Sequence, residues 1–172
     1  MSSGVILDLR SGGMRFGARP LLASAALLCL AALGAALVTQ HVYDMQPCPW
    51  CVLQRLVFAL VALVALIGAA APSRGVQRAA AAGIGLLALA GIATALWQHF
   101  VAASSTSCNL TFADRVMSAT GLDMLWPEVF AAYASCADAK INLLGVPYEF
   151  WSLALFAGLA ALALRAARLS RR

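Results

Sequence analysis

Long runs of apolar residues, rather than an alternating pattern, dominate this chain of 172 residues. A helix needs about 20 residues to cross the hydrocarbon core of a bilayer, at ~1.5 Å of rise per residue. Four runs meet this length or come close to it, over residues 20–40, 51–71, 79–101 and 146–164. Strands of a membrane β-barrel would alternate apolar and polar residues, and these runs do not. The pattern therefore predicts an all-α membrane protein, a four-helix transmembrane bundle with up-down connections.

The composition supports the membrane interpretation. Hydrophobic residues make up 63% of the chain and charged residues 11%, whereas soluble domains average roughly 45–50% and about 25%. So few charges do not cover the surface of a soluble globule, and the high hydrophobicity excludes a disordered chain. We expect a single membrane domain over residues 1–172.

The basic residues predict the direction in which the chain crosses the membrane. The net charge is +5, and nine of the twelve basic residues fall on one side of a four-span topology: Arg10, Arg15, Arg19, Arg74, Arg78, Arg165, Arg168, Arg171 and Arg172. Because cytoplasmic segments carry an excess of Lys and Arg, both termini are expected in the cytoplasm. Loops at about 41–50 and 102–145 then face the opposite, exported side of the membrane. The arginines are interpreted as topological anchors, and no nucleic-acid partner is predicted.

Four of the five cysteines lie at the exported side. Cys48 and Cys51 belong to the short loop and its junction with the second run, and Cys108 and Cys136 belong to the long loop. Cys29 lies inside the first run, where a free cysteine packs as a small apolar residue. Position alone thus groups the exported cysteines into two pairs.

The short pair forms the sequence Cys48-Pro49-Trp50-Cys51. A C-x-x-C spacing closes a small, strained disulfide ring that is more reducible than a structural disulfide. Haem attachment would require a histidine after the second cysteine, and Val52 stands there. A zinc site made from both pairs is an alternative, although the spacing of the long pair is not that of a zinc knuckle. No metal site is predicted.

The long pair, Cys108 and Cys136, permits two interpretations. As a structural staple, a bridge around this loop would add roughly 3–4 kcal/mol of stability. Its position on the same membrane face as the C-x-x-C pair instead favours a relay of thiol–disulfide exchange.

Arg55 also permits two interpretations. It lies four residues after Cys51, on the same face of the predicted helix, and near the exported boundary of the second run. An arginine at this depth costs free energy unless it reaches the headgroups or has a partner. In the first interpretation, the side chain snorkels to the lipid headgroups. In the second, its positively charged guanidinium lies near the Cys51 sulfur and stabilises the thiolate, and it also donates to a carbonyl oxygen of a bound electron acceptor.

The segment from Gln46 to Arg55 reads QPCPWCVLQR and resembles the signature of the DsbB disulfide-formation proteins of bacterial inner membranes. The resemblance extends to the four spans, the C-x-x-C before span two and the second cysteine pair before span four. It implies a membrane thiol:quinone oxidoreductase that reoxidises a periplasmic DsbA-type thioredoxin-fold oxidase. The electron acceptor would be a membrane quinone, either ubiquinone or menaquinone.

The same resemblance implies the residue roles. Cys108 is attacked by the reduced partner and transiently bonded to it, with Cys136 as the other half of that redox-active disulfide. The electrons pass to the Cys48–Cys51 disulfide, and Cys51 hands them to the quinone.

Arg55 would stand beside the quinone, and His99, at the exported end of span three, matches a family position near it. Two alternatives stay open: a four-span structural protein with a stapled exported loop, and an oxidoreductase like vitamin K epoxide reductase.

Two short helices are expected in the long loop. Trp126-Pro127-Glu128 opens one of them, since proline suits the first helical turn and glutamate suits the helix dipole. Phe112, Val116 and Met117 form the apolar face of the other, which either lies on the membrane or packs against the bundle.

Overall fold

The computed structural model describes residues 17–102, 111–139 and 141–170. The described residues form seven helices and a two-stranded hairpin, in the order α1 (Ala18–Tyr43), α2 (Pro49–Ala70), α3 (Arg74–Phe100), α4 (Phe112–Thr120), α5 (Leu122–Leu125), α6 (Pro127–Phe130), β1 (Asn142–Leu143), β2 (Val146–Pro147) and α7 (Tyr148–Leu169). Within these residues, α1, α2, α3 and α7 are long and apolar enough to cross a membrane. The predicted four-helix membrane fold is confirmed.

The helix ends follow local capping chemistry. Helix α3 begins at Arg74, ahead of its apolar run, because the Ser73 side chain caps it by accepting from the Val76 N–H at 3.2 Å. Helix α7 begins later than its run, because Val146 pairs with Leu143 in the hairpin. Leu144 and Gly145 both have positive φ, as a tight two-residue hairpin turn requires.

The four long helices form a closed ring. Helix α1 packs against α2 and α7, and α3 packs against the same two helices. Short connections join α1 to α2 and α2 to α3, as expected for antiparallel neighbours. Many large apolar side chains on the outer faces remain exposed, among them Leu27, Leu63 and Leu86, which is the surface expected of helices that face lipid.

The centre of the bundle is a packed cluster of apolar side chains from the four long helices. The rings of Phe58 and Phe156 stack with centroids 4.2 Å apart and planes inclined by 6°. Gly91 lies so close that a Cβ there would overlap the Phe156 ring, so α3 and α7 approach closely at this level. Cys29 is fully buried in the same core, which agrees with the packing role expected for it.

One end of the bundle is closed by the turn between α2 and α3. Arg19 donates through Nε and Nη2 to the carbonyl oxygen of Ala71, at 3.3 and 3.0 Å, and Gln77 Nε2 donates to the same oxygen at 3.0 Å. These side chains supply hydrogen bonds to a carbonyl at the end of α2 that has no helical partner. We call this region the turn end.

The opposite end carries the long loop and is called the cysteine end. Helix α4 starts with a capping box between Thr111 and Asp114. Its Met117 is buried with Val52 and Phe130, so packing against α2 accounts for this side chain. Phe112, by contrast, is exposed. The predicted short helix after Trp126 is confirmed as α6, with Pro127 in its first turn.

Candidate functional site

Cys48 and Cys51 form the first turn of α2. Cys48 is the N-cap residue, and its Sγ accepts a hydrogen bond from the backbone N–H of Cys51 at 3.3 Å. Pro49 occupies the first helical position, where its missing N–H costs nothing. The local sequence thus places Cys48 just outside the helix and Cys51 inside it.

The long loop brings Cys136 to this turn. The backbone N–H groups of Tyr133 and Ala134 donate to the carbonyl oxygen of Pro47, at 3.0 and 3.3 Å. These bonds fasten the segment after α6 to the residue before Cys48, and Cys136 packs into the same apolar cluster as Cys48 and Trp50. Cys108 lies outside the described residues.

Cys48 is hydrogen-bonded to the sulfurs of both Cys136 and Cys51. The bond from Cys48 lowers the pKa of Cys136 below its ordinary value of 9.0, against an opposing effect of burial. The same bond, a second with Cys51 and burial raise the pKa of Cys48 well above 9.0. Cys48 therefore keeps its proton, and Cys136 is the sulfur that ionises more readily.

An apolar cavity of about 250 Å³ opens beside Cys51. It lies among the four long helices, with Phe58 and Leu155 contributing to its apolar walls. Its polar lining comes from Thr39, Gln46, Gln54, Arg55, Gln98, Tyr148, Glu149 and Ser152. Mostly apolar walls with a few polar groups are typical of sites for small organic ligands.

Arg55 is buried in this wall and bonded to protein acceptors. Its Nη1 donates to Gln40 Oε1 at 2.6 Å and to the Val129 carbonyl oxygen at 3.0 Å, and its Nη2 donates to the Ala36 carbonyl oxygen at 3.3 Å. Gln40 in turn donates to the carbonyl oxygen of Glu128 at 3.3 Å. Arg55 thus connects α1 and α2 to α6, while its charge interacts with the Cys51 sulfur.

Two buried glutamines approach the same sulfur. Gln98 Nε2 donates to Cys51 Sγ at 3.4 Å, and Gln54 Nε2 donates to Gln98 Oε1 at 2.7 Å. Neither residue was predicted as a site residue from the sequence. The sequence could have indicated them, because both are polar residues inside apolar runs, and polar side chains in membrane spans usually mark functional sites.

His99 does not line the cavity. Its Nδ1 lies 2.7 Å from Glu149 Oε1, and its ring packs against Phe150 with centroids 4.6 Å apart. Glu149 is buried and does line the cavity. The structure therefore connects His99 to the cavity through Glu149, while Gln98, its neighbour in sequence, contacts the cavity directly.

The zinc-site alternative can be compared with the positions of the metal-ligating side chains in the described ranges. Across residues 17–102, 111–139 and 141–170, no group of three or more His, Cys, Asp or Glu side chains is placed to hold a metal ion. The four cysteines in those ranges, Cys29, Cys48, Cys51 and Cys136, are free thiols in this structure.

Fold and site together define a multi-pass membrane protein that gathers thiols beside an apolar cavity at one end of its helix bundle. Comparisons with known proteins identify the family. The family model described as disulfide bond formation protein DsbB matches residues 18–166. The chain belongs to the DsbB family of membrane disulfide bond formation proteins, which confirms the resemblance, and it is accordingly a disulfide oxidoreductase.

Individual relatives agree with the family match. Disulfide bond formation protein B 1 of Pseudomonas syringae pv. syringae is 35% identical over 133 residues, which cover 76% of this chain and 78% of the relative. Disulfide bond formation protein B of Herminiimonas arsenicoxydans is 34% identical over 139 residues, 80% of this chain and 87% of the relative. The protein of the same name from Dechloromonas aromatica is 30% identical over 143 residues, 82% and 87% respectively.

Proposed function

We propose that this protein oxidises a periplasmic DsbA-type dithiol oxidase and passes the two electrons through two cysteine pairs to a membrane quinone, ubiquinone or menaquinone. One observation carries the proposal: Cys48 lies between Cys136, on the long loop, and Cys51, on the cavity wall. A sulfur chain of this order connects a soluble partner to a lipid-soluble acceptor.

The proposed location is the bacterial inner membrane, with the cysteine end facing the periplasm. The distribution of arginines motivates this orientation, since Arg19, Arg74 and Arg78 all lie at the turn end. Disulfides persist in the periplasm, whereas the cytosol keeps thiols reduced. The proposed chemistry requires this orientation.

The first exchange steps follow from the order of the sulfurs. A thiolate of the partner attacks Cys108, forms a mixed disulfide and releases Cys136 as a thiolate. Cys136 then attacks Cys48, to which it is adjacent, and the Cys48–Cys51 bond breaks with Cys51 leaving as a thiolate. Each step breaks one disulfide and forms another, so no electrons are lost.

The remaining exchange steps restore the long pair. The second thiol of the partner displaces Cys108, and the partner leaves with its own disulfide formed. Cys108 then attacks Cys136, which re-forms the Cys108–Cys136 bond and returns Cys48 as a thiol. The two electrons taken from the partner now reside in the dithiol of Cys48 and Cys51.

The cavity beside Cys51 suits a quinone. Its apolar walls match a ring with an isoprenoid tail, and Arg55 and Gln98 offer N–H donors where carbonyl oxygens would bind. The bonds to Gln40, Val129 and Ala36 use three of the five guanidinium N–H donors of Arg55, so further donors remain. A bound quinone supplies an acceptor for two electrons and two protons.

His99 enters the proposal through Glu149. The contact between the His99 ring and the Glu149 carboxyl group holds that group at the cavity wall. In this arrangement His99 positions a cavity residue and does not itself touch the ligand.

The test is a quinone-reduction assay with the purified membrane protein, a reduced DsbA-type protein and either ubiquinone or menaquinone. We expect one quinol for each disulfide formed in the partner, and a Cys51→Ala variant without activity. Cys29→Ala is the matched control, because this buried cysteine lies in the core away from the site, and it should retain turnover. If Cys51→Ala reduces quinone at the rate of the unaltered protein, the cysteines are structural staples and the proposal is wrong.

A further inference from the structure

Two groups donate directly to the Cys51 sulfur, the Cys48 thiol and an amide. Gln98 Nε2 is 3.4 Å from Cys51 Sγ, within the distance for a hydrogen bond to sulfur. The Nη atoms of Arg55 instead donate to oxygen acceptors on α1 and α6. At Cys51, the charge of Arg55 acts from a distance, while Cys48 and Gln98 supply the side-chain hydrogen bonds. Of these two donors, only Gln98 lies outside the cysteine pair.

The orientation of the Gln98 amide is determined by a second buried amide. Gln54 Nε2 donates to Gln98 Oε1 at 2.7 Å, which turns the Gln98 Nε2 group towards Cys51. Gln54 and Gln98 are only 3% and 6% exposed, so water does not compete well for these bonds. The opposite orientation of Gln98 would present an oxygen to the sulfur and would disfavour a thiolate.

We propose that Gln98 is a catalytic residue that stabilises the Cys51 thiolate by hydrogen bonding, and that Gln54 is the positioning residue that keeps the Gln98 amide turned towards the sulfur. The proposal deepens the proposed function: Cys51 is the sulfur released when Cys136 attacks Cys48, and a stabilised thiolate is the better leaving group. Cys51 and Gln98 both line the cavity, so the stabilised sulfur lies where the electron acceptor would bind.

The test measures the alkylation rate of each cysteine at one neutral pH in the reduced protein without added quinone, resolved by peptide mass spectrometry. Cys136 is the internal standard, since its contacts are with Cys48 and Trp50 rather than with Gln98. In Gln98→Leu, we expect a tenfold loss of Cys51 thiolate, partly offset by the greater nucleophilicity of a less stabilised thiolate. The net expectation is an alkylation rate about threefold lower at Cys51 and not lower at Cys136.

The rank order of variants separates hydrogen bonding from packing. Gln98→Glu keeps the shape of the side chain but presents carboxylate oxygens to the sulfur. It should therefore lower the alkylation rate of Cys51 more than Gln98→Leu does. A packing role predicts the reverse order. Gln54→Leu should lower the alkylation rate of Cys51 less than either Gln98 variant does. Because Gln54 acts through Gln98, the double variant Gln54→Leu/Gln98→Leu should have the same rate as Gln98→Leu alone.

A buried glutamine at the turn end provides the matched control. Gln77 is 6% exposed and donates to the Ala71 carbonyl oxygen, so Gln77→Leu makes the same chemical change far from the cysteines. It should leave the Cys51-to-Cys136 rate ratio unchanged. If Gln98→Leu does not fold, Gln98→Glu and Gln54→Leu carry the test.

The proposal is overturned if the rate ratio is the same in all Gln98 and Gln54 variants, or if Gln98→Glu is milder than Gln98→Leu. The alkylation assay needs no quinone and no partner protein, so its outcome is independent of the quinone-reduction assay. Altered ratios with no quinone reduction would support the role of Gln98 and contradict the proposed function. The converse result would contradict only the role of Gln98.

Discussion

The two ends of the helix bundle use polar side chains in different ways. At the turn end, Arg19 and Gln77 converge on one backbone carbonyl, that of Ala71, and the result is a satisfied helix terminus. At the cysteine end, Arg55 donates to the Val129 carbonyl oxygen on α6, and Gln98 donates to the Cys51 sulfur. Similar residue types thus close the fold at one end and surround a reactive group at the other.

The difference follows from what the polar groups face. Donors at the turn end face a carbonyl that would otherwise lack a partner, so their effect is on stability alone. Donors at the cysteine end line a cavity and contact a group that changes its charge during exchange. Mutations at the two ends should therefore differ in kind, with activity and stability separated.

The largest expected effect concerns which side of the membrane each end faces. A reporter fused at Gly75, in the turn end, should read as cytoplasmic, and one fused at Ser104, in the long loop, should read as periplasmic. Activity of a periplasmic reporter such as an alkaline phosphatase measures this directly. The opposite result would place the cysteines in a reducing compartment and would contradict the redox proposal.

The next effect concerns the exchange between the two loops. Cys136→Ala removes the sulfur that would attack Cys48, so turnover should stop, and the partner should remain bonded to Cys108 as a covalent complex. Non-reducing electrophoresis followed by peptide mapping identifies the bonded cysteine. A complex through Cys48 would show that the order of electron flow is wrong.

Arg55 tests whether the cysteine end depends on a planar guanidinium. Arg55→Lys should leave exchange with the partner largely intact but raise the KM for quinone about tenfold, equivalent to about 1.4 kcal/mol of binding. Arg55→Met leaves the acceptors on Gln40, Val129 and Ala36 without their donor and should also lower the free energy of unfolding by about 3 kcal/mol. Steady-state quinone reduction and thermal unfolding measure the two effects. Unchanged kinetics in both variants would limit Arg55 to connecting α1 and α2 with α6, and the acceptor would not bind at its guanidinium.

A smaller effect is expected on the ionisation of Cys136, which tests its hydrogen bond with Cys48. Its lowered pKa means that the thiolate persists below pH 9.0 and is lost only as the pH falls through that lowered value. Cys48→Ala removes the hydrogen bond that is the main cause of the lowering, so the pH profile of Cys136 alkylation should move to higher pH. Cys48→Ser keeps a hydroxyl donor and is the matched control, with a smaller movement expected. Identical profiles for the unaltered protein and Cys48→Ala would contradict the Cys48–Cys136 hydrogen bond.

The smallest effect is expected at the turn end. Arg19→Ala removes two exposed hydrogen bonds to the Ala71 carbonyl oxygen, but Gln77 still donates to it. The free energy of unfolding should fall by less than about 1 kcal/mol, with no change in quinone reduction. Thermal unfolding and the activity assay compare this variant with Arg55→Lys. If Arg19→Ala raised the KM for quinone as much as Arg55→Lys, the distinction between the two ends would fail.

Local sequence was sufficient for much of the fold. Apolar runs of membrane length gave the four helices, because a helix in lipid must satisfy its backbone internally and present apolar side chains. The start of α6 at Pro127 was also predictable, since it depends on neighbours along the chain. The hairpin at 142–147 was not, because it depends on positive φ at Leu144, a conformation that a non-glycine residue rarely adopts.

For the candidate site, the sequence by itself determined the C-x-x-C turn and the placement of Arg55 one helical turn after Cys51. Both are consequences of spacing within a single helix. Only the tertiary structure decided that Cys136 lies against Cys48, through backbone bonds from the 133–134 segment to Pro47. Only the tertiary structure likewise brought Gln98 to Cys51, since these residues belong to different helices whose relative rotation depends on packing. Periodicity shows which residues share a face of one helix, but the neighbour that this face meets depends on how the whole bundle closes.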